Sequence, residues 1–319
     1  MSHGCGDSAC IQSGTGCPES YPNSKAGSQG RGSPPPTRIE VVKIALQLAA
    51  ACAISALVLG LVFVMTEPVK RRNHKMQETA SIRDLMGLGN TAEITEVRRY
   101  LSRKDDQLEV VYLTSRSIVR LDESGHERAT VQIPDSLKTG GNGDTERDNF
   151  VIKTLAAAGR SNAQYVGRFF VGRLQSVPVG YVIEGSTPGF KSQIRFFLAL
   201  TRDFTVRGVE IVEHEEDPGL GAEIVQNYFK NQFLGRKDET ITSLNVSREP
   251  MPRDWRLAVE SSGELTYESW MTMHRTGLAK HPNIYAITGS TISSAAVTNG
   301  VKRAYANFIS RMKTLEPYL

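Results

Sequence analysis

The stretch QIRFFLALTRDFTVRGVEIVEH, Gln193–His214, decides the fold class. Two runs rich in apolar and β-branched residues, Gln193–Thr201 and Phe204–His214, are separated only by Arg202 and Asp203. A two-residue connection of this kind reads as a hairpin turn, so the strands are antiparallel neighbours. Upstream, GYVIEG (Gly180–Gly185) has the same character and reads as a third strand beside them. Downstream, AEIVQNYFKNQFLG reads as a helix that buries Ile224, Tyr228 and Leu234 and stops at Gly235. A final helix is expected to start near Ser293 or Ser294. Its Val297, Val301, Tyr305, Phe308, Ile309 and Met312 recur at three- and four-residue steps, the spacing of one buried face.

Further toward the N-terminus, LEVVYL, SIVRL and ATVQI within Gln107–Ile133 alternate with turn formers such as DESG, Asp122–Gly125, and read as an antiparallel meander. KTGGNGDTERDN, Lys138–Asn149, reads as a loop that divides the membrane-proximal region, residues 67–150, from a C-terminal region, residues 151–319. Pro68–Leu88 reads as a basic amphipathic helix that lifts the following domain off a bilayer.

Before it, IALQLAAACAISALVLGLVFVM, Ile44–Met65, runs 22 residues without a charge. At about 1.5 Å per residue a helix of this length covers the roughly 30 Å hydrocarbon core of a bilayer. The run is long for a signal peptide and MTEPVKRR offers no small-residue cleavage site, so residues 38–66 are expected to be an uncleaved transmembrane anchor. Nearby basic residues are Lys25, Arg31, Arg38 and Lys43 on one side, and Lys70, Arg71, Arg72, Lys75 and Arg83 on the other, a balance that leaves orientation open. Residues 1–37 hold seven Gly, seven Ser and five Pro, the composition of a disordered tail, and free thiols are the expected state of Cys5, Cys10 and Cys17.

Lys+Arg exceeds Asp+Glu by only 38 − 34 = 4, so net charge suggests no nucleic-acid partner. Four cysteines without a CxxC pair exclude a disulfide scaffold and the common zinc and iron–sulfur patterns. The chain lacks a Walker lysine, a GxGxxG in strand–helix context, and GxSxG or HExxH signatures. Hydrolase chemistry and ordinary nucleotide binding have no support.

Two segments carry residues that a packed core does not need. In HEEDPGLGAEI, His214–Ile224, a strand runs into an acidic turn and then a helix, with Gly219 and Gly221 flanking Leu220. The glycines permit close approach of backbone to a planar ligand, although a purely structural Pro-Gly turn has the same pattern. The acidic residues beside His214 cannot converge on one metal ion, because consecutive strand residues face opposite ways. In YAITGSTISSAAVTNGVKRA, Tyr285–Ala304, five hydroxyl residues (Thr288, Ser290, Thr291, Ser293, Ser294) surround Gly289 just before a helix. An N-cap needs one of them. The first-turn N–H groups and the positive end of the helix dipole make an anion site.

TGSTISSAAV resembles the (S/T)GATxxS flavinylation motif of the FMN-binding domain family, and HEEDPGLGAEI resembles that family's HxETPGLG segment. Their order, and one N-terminal membrane helix, are similar to the layout of the G subunit of the Rnf electron-transport complex and of its relative, the C subunit of the sodium-translocating NADH:quinone oxidoreductase. The resemblance implies an α+β fold with one N-terminal transmembrane helix and an extracytoplasmic FMN-binding domain built on a largely antiparallel sheet. It implies FMN joined by a phosphoester to Thr291, with Gly289 permitting close approach and Thr288, Ser290, Ser293 and Ser294 donating to phosphate or ribityl oxygens. Glu216, Asp217, Gly219, Leu220 and Gly221 would line the isoalloxazine. The implied partners are the other membrane subunits of an Rnf-like complex and a flavin transferase. The implied place is a bacterial cytoplasmic membrane, with the tail inside and the flavin domain on the outer face. The chain departs from the family pattern at Tyr285 (usually Asp), Ser290 (usually Ala) and Asp217 (usually Thr). A tethered binding or scaffold protein with a degenerate or non-covalent flavin site is the alternative.

Overall fold

The computed structural model describes residues 38–319, apart from residues 90, 105–106, 139–142, 161 and 264. The tail and its three cysteines lie outside the described residues. A helix, α1, is assigned over Arg38–Met86, and the chain divides into two compact units within it, at Pro68 and Val69. In the first unit the side chains of the apolar run are exposed, Leu57 and Leu59 at 73% and 70% among them. The helix is long and apolar enough to cross a membrane.

The second unit is organised by one antiparallel sheet. Strands β1 (Glu93–Lys104), β2 (Gln107–Leu113), β3 (Ser117–Asp122) and β4 (Glu127–Gln132) form the meander expected from Gln107 onward. Two helices, α2 (Asp135–Lys138) and α3 (Gly143–Ala157), return the chain to β5 (Gln164–Leu174), β6 (Val177–Pro188), β7 (Gln193–Thr201) and β8 (Val206–Glu213). The order is β4-β3-β2-β1-β5-β6-β7-β8, and every pairing is antiparallel. The expected α+β class with a largely antiparallel sheet is therefore what the chain adopts. Strands from both sides of residue 150 share this sheet, since β1 pairs with β5.

Both faces of the sheet are covered, which explains why β7 reads as a nearly continuous apolar run. Phe196, Leu198 and Leu200 join the large core on one face, and Phe197 and Ala199 join a smaller cluster with Ile82 and Met86 of α1 on the other. On that second face Arg168 bridges Glu78 of α1 to Glu96 and Glu184, and Arg195 joins Glu184 to Glu213. A charge ladder thus pins the end of α1 across the sheet.

Beyond β8 come 3₁₀ turns at Gly221–Val225 and Asn231–Phe233, the short helices α4 (Asn227–Lys230) and α5 (Glu239–Thr242), and strand β9 (Val246–Ser247). Helices α6 (Arg253–Glu260) and α7 (Tyr267–Lys280) follow, then β10 (Ile284–Tyr285), parallel to β9, and α8 (Thr291–Leu315). Val297, Val301, Tyr305, Phe308 and Met312 of α8 are buried against the sheet.

Three sequence expectations need correction. Lys138–Asn149 is not all loop: α3 begins at Gly143. Its first turns are polar and the residues that bury it, Val151 and Leu155, lie after the stretch read as loop. Residues 222–235 do not form one helix. Gln226 is extended, at φ −72° and ψ 145°, and breaks the segment into the short turns above, with Phe229 and Phe233 as its most buried anchors. Gly235 does stop it, at φ +71°. The final helix starts at Thr291, ahead of Ser293.

Helix α8 can lie close to β6 and β7 because Gly300 has no side chain. A Cβ there would sit 2.9 Å from Thr187 Cβ and 3.0 Å from Phe196 Cε1. Gly300→Val is expected to lower stability by about 1–3 kcal/mol through overpacking, despite the better helix propensity of Val, as read by thermal or urea unfolding.

Candidate functional site

The two segments singled out in the sequence meet in space. The residues after β8 form a turn that is pinned to the start of α8 by Glu216, which is 4% exposed and accepts a short hydrogen bond from Ser293 Oγ. The same carboxylate accepts from the peptide N–H groups of Phe190 (3.3 Å), Lys191 (3.0 Å) and Ser192 (3.4 Å) in the β6–β7 turn. Burial by itself would raise the Glu216 pKa, but the Ser293 hydroxyl and the three N–H groups outweigh it and hold the carboxyl below its usual range.

Glycines make the approach possible. A Cβ on Gly221 would lie 2.6 Å from Glu216 Oε2 and 2.9 Å from Ser293 Oγ, and one on Gly189 would lie 2.5 Å from Glu216 Oε1. Gly289 adopts φ +78°, and a Cβ there would come within 2.9 Å of Leu220 Cδ2. So the Gly219–Gly221 turn and the Thr288–Ser294 segment, far apart in sequence, are packed together through Glu216–Ser293 and Leu220–Gly289.

The hydroxyl residues divide into two groups. Ser293 and Ser294 are 1% and 0% exposed and serve the protein itself. Ser294 Oγ donates to Ser290 O (2.8 Å) and accepts from Ile287 N–H (3.1 Å), while Ser293 is committed to Glu216. Their hydroxyl protons are spent internally rather than on a ligand. Thr288 is exposed and Thr291, the first residue of α8, is half-buried. Ser290, at the N-cap position, makes no side-chain capping bond, and its Oγ is buried without a protein partner. The N–H groups of Thr291, Ile292 and Ser293 likewise donate to no protein acceptor among the described residues. A 25-residue helix therefore points an uncapped first turn and an unspent hydroxyl at the surface beside Gly289.

Asp217 is tied to Lys191 Nζ at 2.8 Å in an exposed ion pair, and its carbonyl accepts from Leu220 and Ala222. Gly219, at φ +73°, and Leu220 are exposed. The β6–β7 turn, Gly189–Ser192, is part of the site, and sequence reasoning misses it. Its only local signal is the PGFKS run, which resembles any surface turn. Phe190, Leu220 and Ile292, one on each converging segment, are 66%, 48% and 59% exposed and give the site an apolar rim. His214 accepts from Glu216 N–H through Nδ1 at 3.2 Å, and no cluster suited to a metal ion occurs among the described residues.

Residues 189–306, which contain every part of this arrangement, match the family model for the FMN-binding domain. The G subunit of the ion-translocating oxidoreductase complex of Cronobacter sakazakii is 30% identical over 179 residues, covering 55% of this chain and 68% of that one. The chain belongs to the family of G subunits of ion-translocating oxidoreductase complexes. Another member, the G subunit of the proton-translocating ferredoxin:NAD(+) oxidoreductase complex of Clostridium ljungdahlii, is 31% identical, covering 40% of this chain and 51% of its own length. The present G subunit spans about half to three-fifths of the first curated relatives it matches. In the crystal structure of the Na(+)-translocating NADH-quinone reductase from Parabacteroides distasonis, the C subunit aligns over 60% of this chain and 75% of that one, at 18% identity and a TM-score of 0.33.

The residues of this G subunit fit a phosphate-bearing flavin. The uncapped N-terminus of α8 with its three unspent N–H groups suits a phosphate. Ser290 Oγ supplies a donor with no competing partner, and the glycine turn beside it lets a flat group approach backbone.

Proposed function

We propose that this chain is a membrane-anchored electron-transfer protein and that it holds FMN as a phosphoester on Thr291 Oγ1. The single observation that carries the reading is the uncapped start of α8, where Thr291 stands at the first helical position beside the partnerless Ser290 hydroxyl. Bound there, FMN would supply the redox chemistry. The chain's part is to place and tune it. The α8 N–H groups and helix dipole hold the phosphate negative charge, and Ser290 Oγ donates to it. Gly289 and the Gly219–Gly221 turn give the ring system a flat approach. Phe190, Leu220 and Ile292 cover its apolar edge and keep water from it. Electron transfer of this kind needs no general acid or base, in agreement with a site that has none at its surface.

The names of relatives supply the wider setting: proton-translocating in one complex and Na(+)-translocating in another, both ferredoxin:NAD(+) oxidoreductases. In this reading the chain relays electrons between membrane subunits of such a complex, α1 crosses a bacterial cytoplasmic membrane, and the second unit lies on the outer face. A flavin transferase installs the FMN. Thr288, Gly289 and Thr291 are all reachable from solvent, which suits that step.

The test is the polypeptide matured in its native membranes, or co-expressed with the transferase. After denaturing electrophoresis the band should fluoresce under ultraviolet light, and its mass should equal the chain plus FMN minus one water. A dark band of unmodified mass from native membranes overturns the electron-carrier reading, and flavin released on denaturation replaces the ester with reversible binding.

A further inference from the structure

Far from the flavin site, two arginines face each other without a counter-charge. Arg99 of β1 and Arg311 of α8 line a small pocket of about 60 Å³ together with Tyr112, Phe169, Phe308 and Met312. The other buried arginines of the domain are matched. Arg98 has Glu96 and Asp148, Arg120 and Arg160 share Glu109, Arg168 has three carboxylates, and Arg236 donates to the carbonyls of Gln232, His281 and Pro282. Arg99 has one long bond, from Nη2 to Val166 O at 3.4 Å. Arg311 and the Tyr112 hydroxyl have no hydrogen bond or ion pair among the described residues.

Glu184 also borders the pocket, but its carboxylate belongs to the opposite face of the sheet. Residues 184 and 197 are paired, Phe197 packs toward α1, and both Glu184 oxygens are held by Arg168 and Arg195. Arg99 is paired with Tyr112, which belongs to the core on the α8 face. Burial lowers the pKa of both arginines, the charge of Arg311 lowers that of Arg99 further, and both cations act on the Tyr112 hydroxyl. Arg311 lies near the C-terminal end of α8, whose carbonyls offset part of its charge, but Arg99 has no such help.

We propose that Arg99, Arg311 and Tyr112 form a binding site for a compact oxyanion of the phosphate or sulfate class, separate from the flavin site. Each guanidinium carries five N–H donors in a planar fork, a geometry that suits an anion with several oxygens better than chloride. Arg311 is twenty residues along α8 from Thr291, about 30 Å at the helical rise, so the ligand is not the FMN phosphate. An anion here would remove the repulsion between β1 and the helix that carries the flavin site.

The experiment uses the full chain in detergent micelles, with inorganic sulfate replacing chloride at constant ionic strength. Isothermal calorimetry should show saturable sulfate binding, and the melting temperature should rise in step with occupancy. Arg99→Gln and Arg311→Gln should melt no lower than the unaltered chain in chloride, weaken sulfate binding about tenfold or more, and lose the sulfate-dependent rise. Sulfate also stabilises proteins by exclusion from their surface, so an equal rise in the variants overturns the site. Absence of saturable heat with the unaltered chain overturns it as well, whether or not the glutamine variants fold. None of these readouts depends on flavin, so the result stands apart from the proposed electron-carrier role.

Discussion

Thr291→Ala, matured with the transferase present, is expected to yield a folded chain with no covalent flavin: no fluorescent band and no FMN increment in mass. The loss is total because the substitution removes the oxygen that forms the ester, not a contact that assists it. The fold should barely respond. Thr291 is half-buried at the first position of α8, its hydroxyl makes no hydrogen bond among the described residues, and surface substitutions of this kind stay within about 0.5 kcal/mol. Thr291→Ser keeps a hydroxyl there and should keep some attachment. Ser290→Ala is the informative partner. Its buried Oγ has no protein acceptor, so deletion removes an unsatisfied group and should be neutral or mildly stabilising. If flavin survives in Thr291→Ala and vanishes in Ser290→Ala, the acceptor is Ser290. Circular dichroism melts of each variant separate loss of attachment from loss of fold.

The parts of this fold that announce themselves in the sequence are those where one physical requirement acts alone. Gln193–Thr201 is buried on both faces and Phe204–His214 follows it within a hairpin, so composition and turn length identify both strands. The α8 face repeats at helical spacing because it packs on one sheet. Strands β1 and β5 are not legible, since EITEVRRYLSRK and QYVGRFFVGRL place arginines among their apolar residues. Those arginines are buried in ion pairs with Glu78, Glu96, Asp148 and Glu184, partners that lie up to 90 positions away. The candidate site shows the same divide. An excess of hydroxyls before a helix is visible, but the division of labour among them is not. Ser293 and Ser294 hold the site together, whereas Ser290 and Thr291 face what binds there. That distinction depends on Glu216 arriving 77 positions from Ser293, and on a β6–β7 turn with no motif of its own.

Glu216→Ala is expected to destabilise the domain by about 3–5 kcal/mol and to reduce flavin loading, although Glu216 is buried beneath the proposed ring site. The truncation strands the N–H groups of Phe190, Lys191 and Ser192 and the hydroxyl of Ser293, all gathered around one carboxylate. It also frees the Gly219–Gly221 turn from α8, so Leu220 no longer packs on Gly289 and the surface before Thr291 loses its shape. Glu216→Gln keeps the volume and one acceptor oxygen, but turns an NH2 group toward donors, and should cost about 1–3 kcal/mol. The pH dependence follows from the lowered carboxyl pKa. A group whose folded pKa is depressed contributes stability that is present above its unfolded value, about 4.3 for Glu, and that is lost as pH falls through the lower folded value. The gap in melting temperature between the unaltered chain and Glu216→Gln should therefore be widest near neutral pH and narrow below about pH 4. A Glu216→Ala chain that melts with the unaltered protein at pH 7 and still loads flavin fully would show that the buried carboxylate does not join the two segments.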